Sequence, residues 1–199
     1  MKVLIACEYS GTVRDAFIAA GHDAMSCDLL PTDVPGPHYQ GNVFDVVGGG
    51  WDLMIAHPPC THLAVSGAAW FHKKQDVQPA ALQFVRDLLN APIPMIALEN
   101  PVSIISTRIR KPDQVVQPWM FGHKEQKATC LWLKGLPKLE ATNDVYDEMM
   151  LLPRKERERL HYLPPSPQRW KLRSKTYDGI AEAMANQWSN IRQMELNLI

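Results

Sequence analysis

The 199-residue chain predicts an α/β fold, a mostly parallel sheet covered by helices on both faces. Two observations carry this. Apolar runs of strand length alternate with longer segments whose apolar residues recur at helical spacing. Polar residues gather directly after the apolar runs, where strands of an open parallel sheet end and ligands bind.

Each element follows in order. "KVLIA" (2–6) reads as the first strand. "GTVRDAFIAAG" (11–21) is a helix with Val13, Phe17 and Ala20 on one face and Gly21 as its stop. "DAMSCD" (23–28) is the second strand, ending at Asp28, and "PTDVPGPHYQG" (31–41) is a loop, with a third strand expected between Asn42 and Asp45. "WDLMIA" (51–56) supplies the fourth strand, "QPAALQFVRDLLNA" (78–91) a helix with Pro79 in its first turn, and "PMIALENP" (94–101) the fifth strand. "STRIRKPDQVVQPWMFGHKEQ" (106–126) reads as a long loop and "KATCLWL" (127–133) as a late strand. Proline and charge then dominate to residue 173, with one short helix in "DEMMLLPRKERERL" (147–160) interrupted by Pro153. "TYDGIAEAMANQWSNIRQME" (176–195) reads as the closing helix.

The expected organisation is one domain over 1–199 with a short basic insert at about 136–173. Lys and Arg total 21, as do Asp and Glu, so no global field announces a polyanionic partner. Between residues 154 and 175, however, eight basic side chains face two acidic ones. The four cysteines, Cys7, Cys27, Cys60 and Cys130, contain no CxxC pair, which argues against a zinc ribbon or a disulfide framework. No secretory signal or membrane-length apolar run is read, so a reducing, cytoplasmic compartment is the expectation.

Candidate chemistry gathers at the predicted strand ends. Glu8, Tyr9, Ser10 and Gly11 follow the first strand, Asp28 ends the second, Asn42 and Asp45 flank the third, Cys60 follows the fourth and Glu99 stands at the fifth. The turn "CEYSG" (7–11) lacks GxGxxG, so a pyrophosphate cradle is unsupported, while a helix N-terminus there suits a carboxylate. Asp28 is placed to accept hydrogen bonds from ribose hydroxyls. An adenosine-bearing cofactor without a tight phosphate site is the reading, and S-adenosylmethionine is its natural candidate. In "IAHPPCTHL" (55–63) two prolines fix the backbone and present Cys60 in a defined direction. His57, Cys60 and His62 crowd one turn with no fourth ligand in reach, so no metal is expected.

The ordered set "YSGTVRDAFIAAGHDAMSCD", "GNVFD", "WDLMIAHPPC" and "ALENP" resembles the DNA cytosine-5 methyltransferase family, in a compact form of the kind encoded by bacteriophages. The match covers roughly the first 100 residues in the correct order, with weaker likeness at "KATCLWL" and the closing helix. The resemblance implies a Rossmann-like class I S-adenosylmethionine-dependent fold. It implies Cys60 as nucleophile, Glu99 as the acid contacting the base, and Asn100 as the residue orienting that loop. Glu8, Tyr9, Ser10, Gly11, Asp28, Asn42 and Pro58 are the implied cofactor residues. The thiol is expected at a lowered pKa and the Glu99 carboxyl at a raised one.

Departures accompany the match. Asn42 stands where the family often has an acid, Pro101 follows Glu-Asn in place of valine, and Thr61 replaces a common glutamine. The family's arginine-rich motif has only weak substitutes in Arg108 and Arg110, or in Gln126 and Lys127. Only about 40 residues stand where the family generally inserts a large target-recognition domain. That segment is the basic one, so Arg169 and Arg173 are candidates for phosphate contact beside Arg108, Arg110 and Lys127, and Tyr162 and Trp170 for stacking on unpaired bases. DNA, duplex or single-stranded, is the expected partner. The alternatives are C5 modification of a free pyrimidine nucleotide or RNA, and a non-catalytic nucleic-acid-binding protein that retains the fold.

Overall fold

The computed structural model describes residues 1–189. Strands β1 (Lys2–Ala6), β2 (Asp23–Asp28), β3 (His38–Gln40), β4 (Leu53–Ala56), β5 (Met95–Pro101), β6 (Gln114–Val116) and β7 (Thr129–Lys134) form one sheet in the order β3-β2-β1-β4-β5-β7-β6. The pairs from β3 through β5 are all parallel, whereas β7 runs antiparallel to both β5 and β6. The fold is therefore the mostly parallel, Rossmann-like α/β arrangement the sequence predicts, with one reversed strand near its edge.

The apolar runs are continuous because both faces of the sheet are covered. Val3, Ile5, Leu53, Ile55 and Ala97 pack toward helices α1 (Thr12–Ala19) and, at the end of the described chain, Asp178–Trp188. Leu4, Ala6, Met54, Ala56, Ile96 and Leu98 pack on the other face with α2 (Gln78–Leu89). Each fully buried Leu, Ile or Phe of these layers contributes roughly 1.5–3 kcal/mol. Five further helical segments separate α2 from the last helix: α3 (Ile105–Arg108), α4 (Tyr146–Met150), α5 (Arg154–Arg157), α6 (Arg159–Tyr162) and α7 (Arg169–Ser174). The last helix is α8.

Several expectations are corrected. The third strand is His38–Gln40, inside the segment read as a loop, while Val43–Asp45 is a turn of 3-10 helix. The stretch read as one long loop holds α3, β6 and a 3-10 turn at Pro118–Met120. Pro153 divides α4 from α5, as a residue without an N–H and with a fixed φ must in a helical run. The closing helix is described to Trp188, and the rest of its predicted span, from residue 190, lies outside the described residues.

Arg14 on α1 is 0% exposed, an unusual place for a guanidinium. Its guanidinium is satisfied by reaching Asp15 Oδ1, Ser26 Oγ, Thr32 Oγ1 and the carbonyls of Val34 and Pro35. It thereby straps the 32–35 segment over β2. Gly11 sits against it in left-handed conformation (φ 76°), where a Cβ would meet the guanidinium and Val34.

Candidate functional site

The carboxyl end of β4 runs into His57, Pro58, Pro59 and Cys60, and β5 carries Glu99 and Asn100 beside it. Two side-chain hydrogen bonds lock the motifs together. His57 Nδ1 donates to Glu99 Oε2 at 3.1 Å, and Asn100 Nδ2 donates to the Pro58 carbonyl at 2.9 Å. Backbone bonds continue the clasp: the Val65 N–H donates to the Val102 carbonyl and the Ile104 N–H to the Leu63 carbonyl, both at 3.0 Å. Cys60 stands at the start of the turn so held, its carbonyl accepting the N–H groups of Leu63 and Ala64. The prolines alone would fix the direction of the chain. The cross-strand bonds fix where Cys60 lies relative to Glu99.

The electrostatics reverse both protonation expectations. Burial pushes the Cys60 thiol up and the Glu99 charge pushes it further, against weaker opposing pulls that include Lys127 and Arg173. Burial would also push the Glu99 carboxyl up, but the hydrogen bond and charge of His57, with Lys127 beyond, outweigh it and hold Glu99 below the usual carboxylate range. The free protein is thus set as thiol and carboxylate. Sequence reading missed this because the partner of Glu99 is His57, 42 positions away and weighed only as a metal ligand.

Lys127, just before β7, faces Glu99 and Cys60, and burial lowers its pKa against their raising charges. Its Nζ donates to the Lys175 carbonyl at 3.3 Å and lies 5.7 Å from the Tyr177 ring centre. Arg173 on α7 also acts on Cys60 and Lys127. The other predicted nucleic-acid residues are placed elsewhere. Arg110 binds Asp113 and the Leu133 carbonyl, near the end of β7 that pairs with the start of β5, so it does not back Glu99. Arg108 is exposed, its carbonyl held by Arg86. Arg169 is engaged with the carbonyls of Leu163 and His161.

The candidate cofactor loop is more occupied than expected. The Glu8 carboxylate, 5% exposed, accepts the N–H groups of Val13 and Arg14 and the Ser10 hydroxyl, so the anion at the N-terminus of α1 is the chain's own. Glu8 and Ser10 therefore shape the loop, and Cys7 before them adopts φ 59°, a conformation rare outside glycine. Tyr9 turns toward α7: its ring meets Trp170 at 5.6 Å, and its hydroxyl bonds Ser174 Oγ at 2.9 Å and the Lys171 carbonyl. Asn42 Oδ1 caps the 3-10 turn by accepting the Phe44 N–H. Asp28 is half-buried and accepts the Leu30 N–H, and burial raises its pKa. A carboxylate so penalised suits donors such as a pair of ribose hydroxyls.

Among the described residues, five buried side-chain polar atoms lack a partner. Four of them, His57 Nε2, His62 Nδ1, Asn100 Oδ1 and Ser103 Oγ, belong to the two clasped segments. Unpaired buried polar atoms cost folding free energy, and among the described residues that cost is concentrated in these two segments. No three His, Cys, Asp or Glu side chains among the described residues are grouped to hold a metal ion, and no described helix is long and apolar enough to cross a membrane.

Fold and site together define a Rossmann-like α/β protein with a thiol and a carboxylate at the carboxyl rim of its sheet. No protein-family model matches the chain, and no curated protein sequence does. Among solved structures it is similar to one described as a candidate DNA modification methyltransferase encoded within an E. coli prophage, at 15% identity and a TM-score of 0.45. The likeness covers 76% of this chain and 55% of that one, so the chain spans about half the length of the structure it matches.

Proposed function

We propose that the chain transfers a methyl group from S-adenosylmethionine to C5 of cytosine in DNA, through a covalent bond between Cys60 and C6 of the ring. The carrying observation is the clasp between the two motifs, which sets a thiol and a carboxylate side by side at one strand-end rim. When bound, the cofactor supplies an electrophilic methyl on sulfonium. Asp28 would hold its ribose, with Tyr9 and Gly11 walling the loop and Pro58 the side toward Cys60.

The opposite protonation shifts of Cys60 and Glu99 form one charge balance. Glu99 takes the proton of the thiol and gives it to N3 of the ring as the thiolate adds to C6, so the electrons of the C5–C6 double bond become available at C5. After methylation water takes the C5 proton, the electrons of the C5–H bond form the C5–C6 double bond, and the S–C6 pair leaves with sulfur as the thiolate, while N3 returns its proton to Glu99, which passes it back to the thiolate. Asn100 keeps the two strand ends in register.

The test is incubation with labelled S-adenosylmethionine and duplex DNA, single-stranded DNA, RNA or free deoxycytidylate, for wild type and Cys60→Ser. Label in DNA with wild type, and at least a hundredfold less with Cys60→Ser, is the expected result. Equal labelling by both proteins removes Cys60 from the mechanism. One observation favours the free-nucleotide reading as second: part of the positive charge of the basic segment is already paired at the surface, Arg154 with Glu158, Arg159 with Glu125 and Lys171 with Asp33. Label in deoxycytidylate alone would establish that reading instead.

A further inference from the structure

His57 has no role in the account so far beyond a clasp, yet its surroundings ask for one. Its side chain is 10% exposed and that of Glu99 14%, so their 3.1 Å contact is largely screened from water. A carboxylate can only accept, so Nδ1 carries the shared proton. Nε2 is buried with no protein partner, so stability alone gives little reason for an imidazole here, since a partnerless ring nitrogen opposes burial.

We propose that His57 is the positioning residue of the site: through Nδ1 it aims the Glu99 carboxylate at the base and sets the charge it carries before the substrate arrives. It rests on the reading that Glu99 serves the reacting base. The groups facing Glu99 are His57 from the end of β4, Cys60 from the turn beyond it, Lys127 from the segment before β7 and Cys130 within β7. Asp28 faces His57 from the end of β2, and Arg173 faces Lys127 from α7. Of these, His57 is the group hydrogen-bonded to the carboxylate, and it opposes the burial that would otherwise neutralise it.

The test needs no methyl transfer. The Glu99 side-chain carboxyl is titrated by carbon-13 NMR in the full-length protein, its resonance assigned with Glu99→Gln, in wild type, His57→Ala and His57→Asn. Folding of each variant is checked by its thermal melt. Wild type should titrate below the ordinary glutamate range and His57→Ala about one pH unit or more higher. His57→Asn, which keeps a donor in the place of Nδ1 but cannot carry charge, should fall between them. An unchanged midpoint in folded His57→Ala, or in His57→Asn should the alanine variant not fold, overturns the role. A chain that shows these shifts and methylates nothing retains His57 as the residue that sets Glu99, and it is the proposed function that fails.

Discussion

Cys60 and Glu99 act on each other because the charge of Glu99 helps the thiol keep its proton. Removing the Glu99 charge should ease ionisation of the thiol, since that charge adds to burial in raising it. Glu99→Gln is therefore expected to alkylate at Cys60 about threefold to tenfold faster than wild type near pH 8, read by mass spectrometry of the iodoacetamide-treated peptide. The opposite sign would mean that Glu99 acts as a base toward the thiol in the free protein. Cys7 and Cys27 should stay silent in both, their thiols pushed by burial to about 12 and about 11. At this scale the sequence showed which residues stand at strand ends but not how they are used. Glu8 was legible as a polar residue after β1, yet its engagement with the first turn of α1 depends on a loop closure of five and six positions that no spacing rule announces. The buried Arg14 was equally hidden, because its partners lie in a segment that looks like solvent-exposed loop.

The elements that sequence reading placed well are the long ones with continuous or periodic apolar residues: β1, β2, β4, β5, α1, α2 and the described part of α8. Those it missed, β3, α3, β6 and α7, span only three to six residues. Their formation depends on neighbours: β3 is set by pairing with β2, and α7 is held by contacts at long sequence separation. The short helix α7 matters most for the site. Its Trp170 meets Tyr9, its Lys171 pairs with Asp33, and its Ser174 bonds the Tyr9 hydroxyl, so it straps the loop after β1. Trp170→Ala should release that strap. Hydrogen exchange of residues 169–175 is expected to rise about twofold to tenfold while β1 and β4 stay protected, since an aromatic pair contributes about 0.5–1.5 kcal/mol. Unchanged exchange would show that the polar contacts alone hold α7.

At the scale of the whole molecule, charge distribution separates this chain from a protein that tracks a duplex. Net charge is zero, and Arg154, Arg159, Arg169 and Lys171 are engaged within the fold. Four of the eight cations between residues 154 and 175 are then left to meet phosphates, so DNA affinity should fall by no more than roughly 150-fold between 50 and 200 mM salt, against at least about 1,000-fold for a protein making six or more phosphate contacts. A steep salt dependence, measured by fluorescence anisotropy of a labelled oligonucleotide, would return the basic segment to the role its composition suggested. The central claim is narrower than affinity: it is that Cys60 bonds to C6 of the ring. DNA carrying 5-fluorocytosine tests it most directly, because fluorine cannot leave C5 as a proton does and the covalent product stays trapped. With S-adenosylmethionine present, wild type should give a denaturation-resistant protein–DNA band whose modified peptide contains Cys60, and Cys60→Ser should give none; methyl transfer to unfluorinated DNA without any such band would contradict the account.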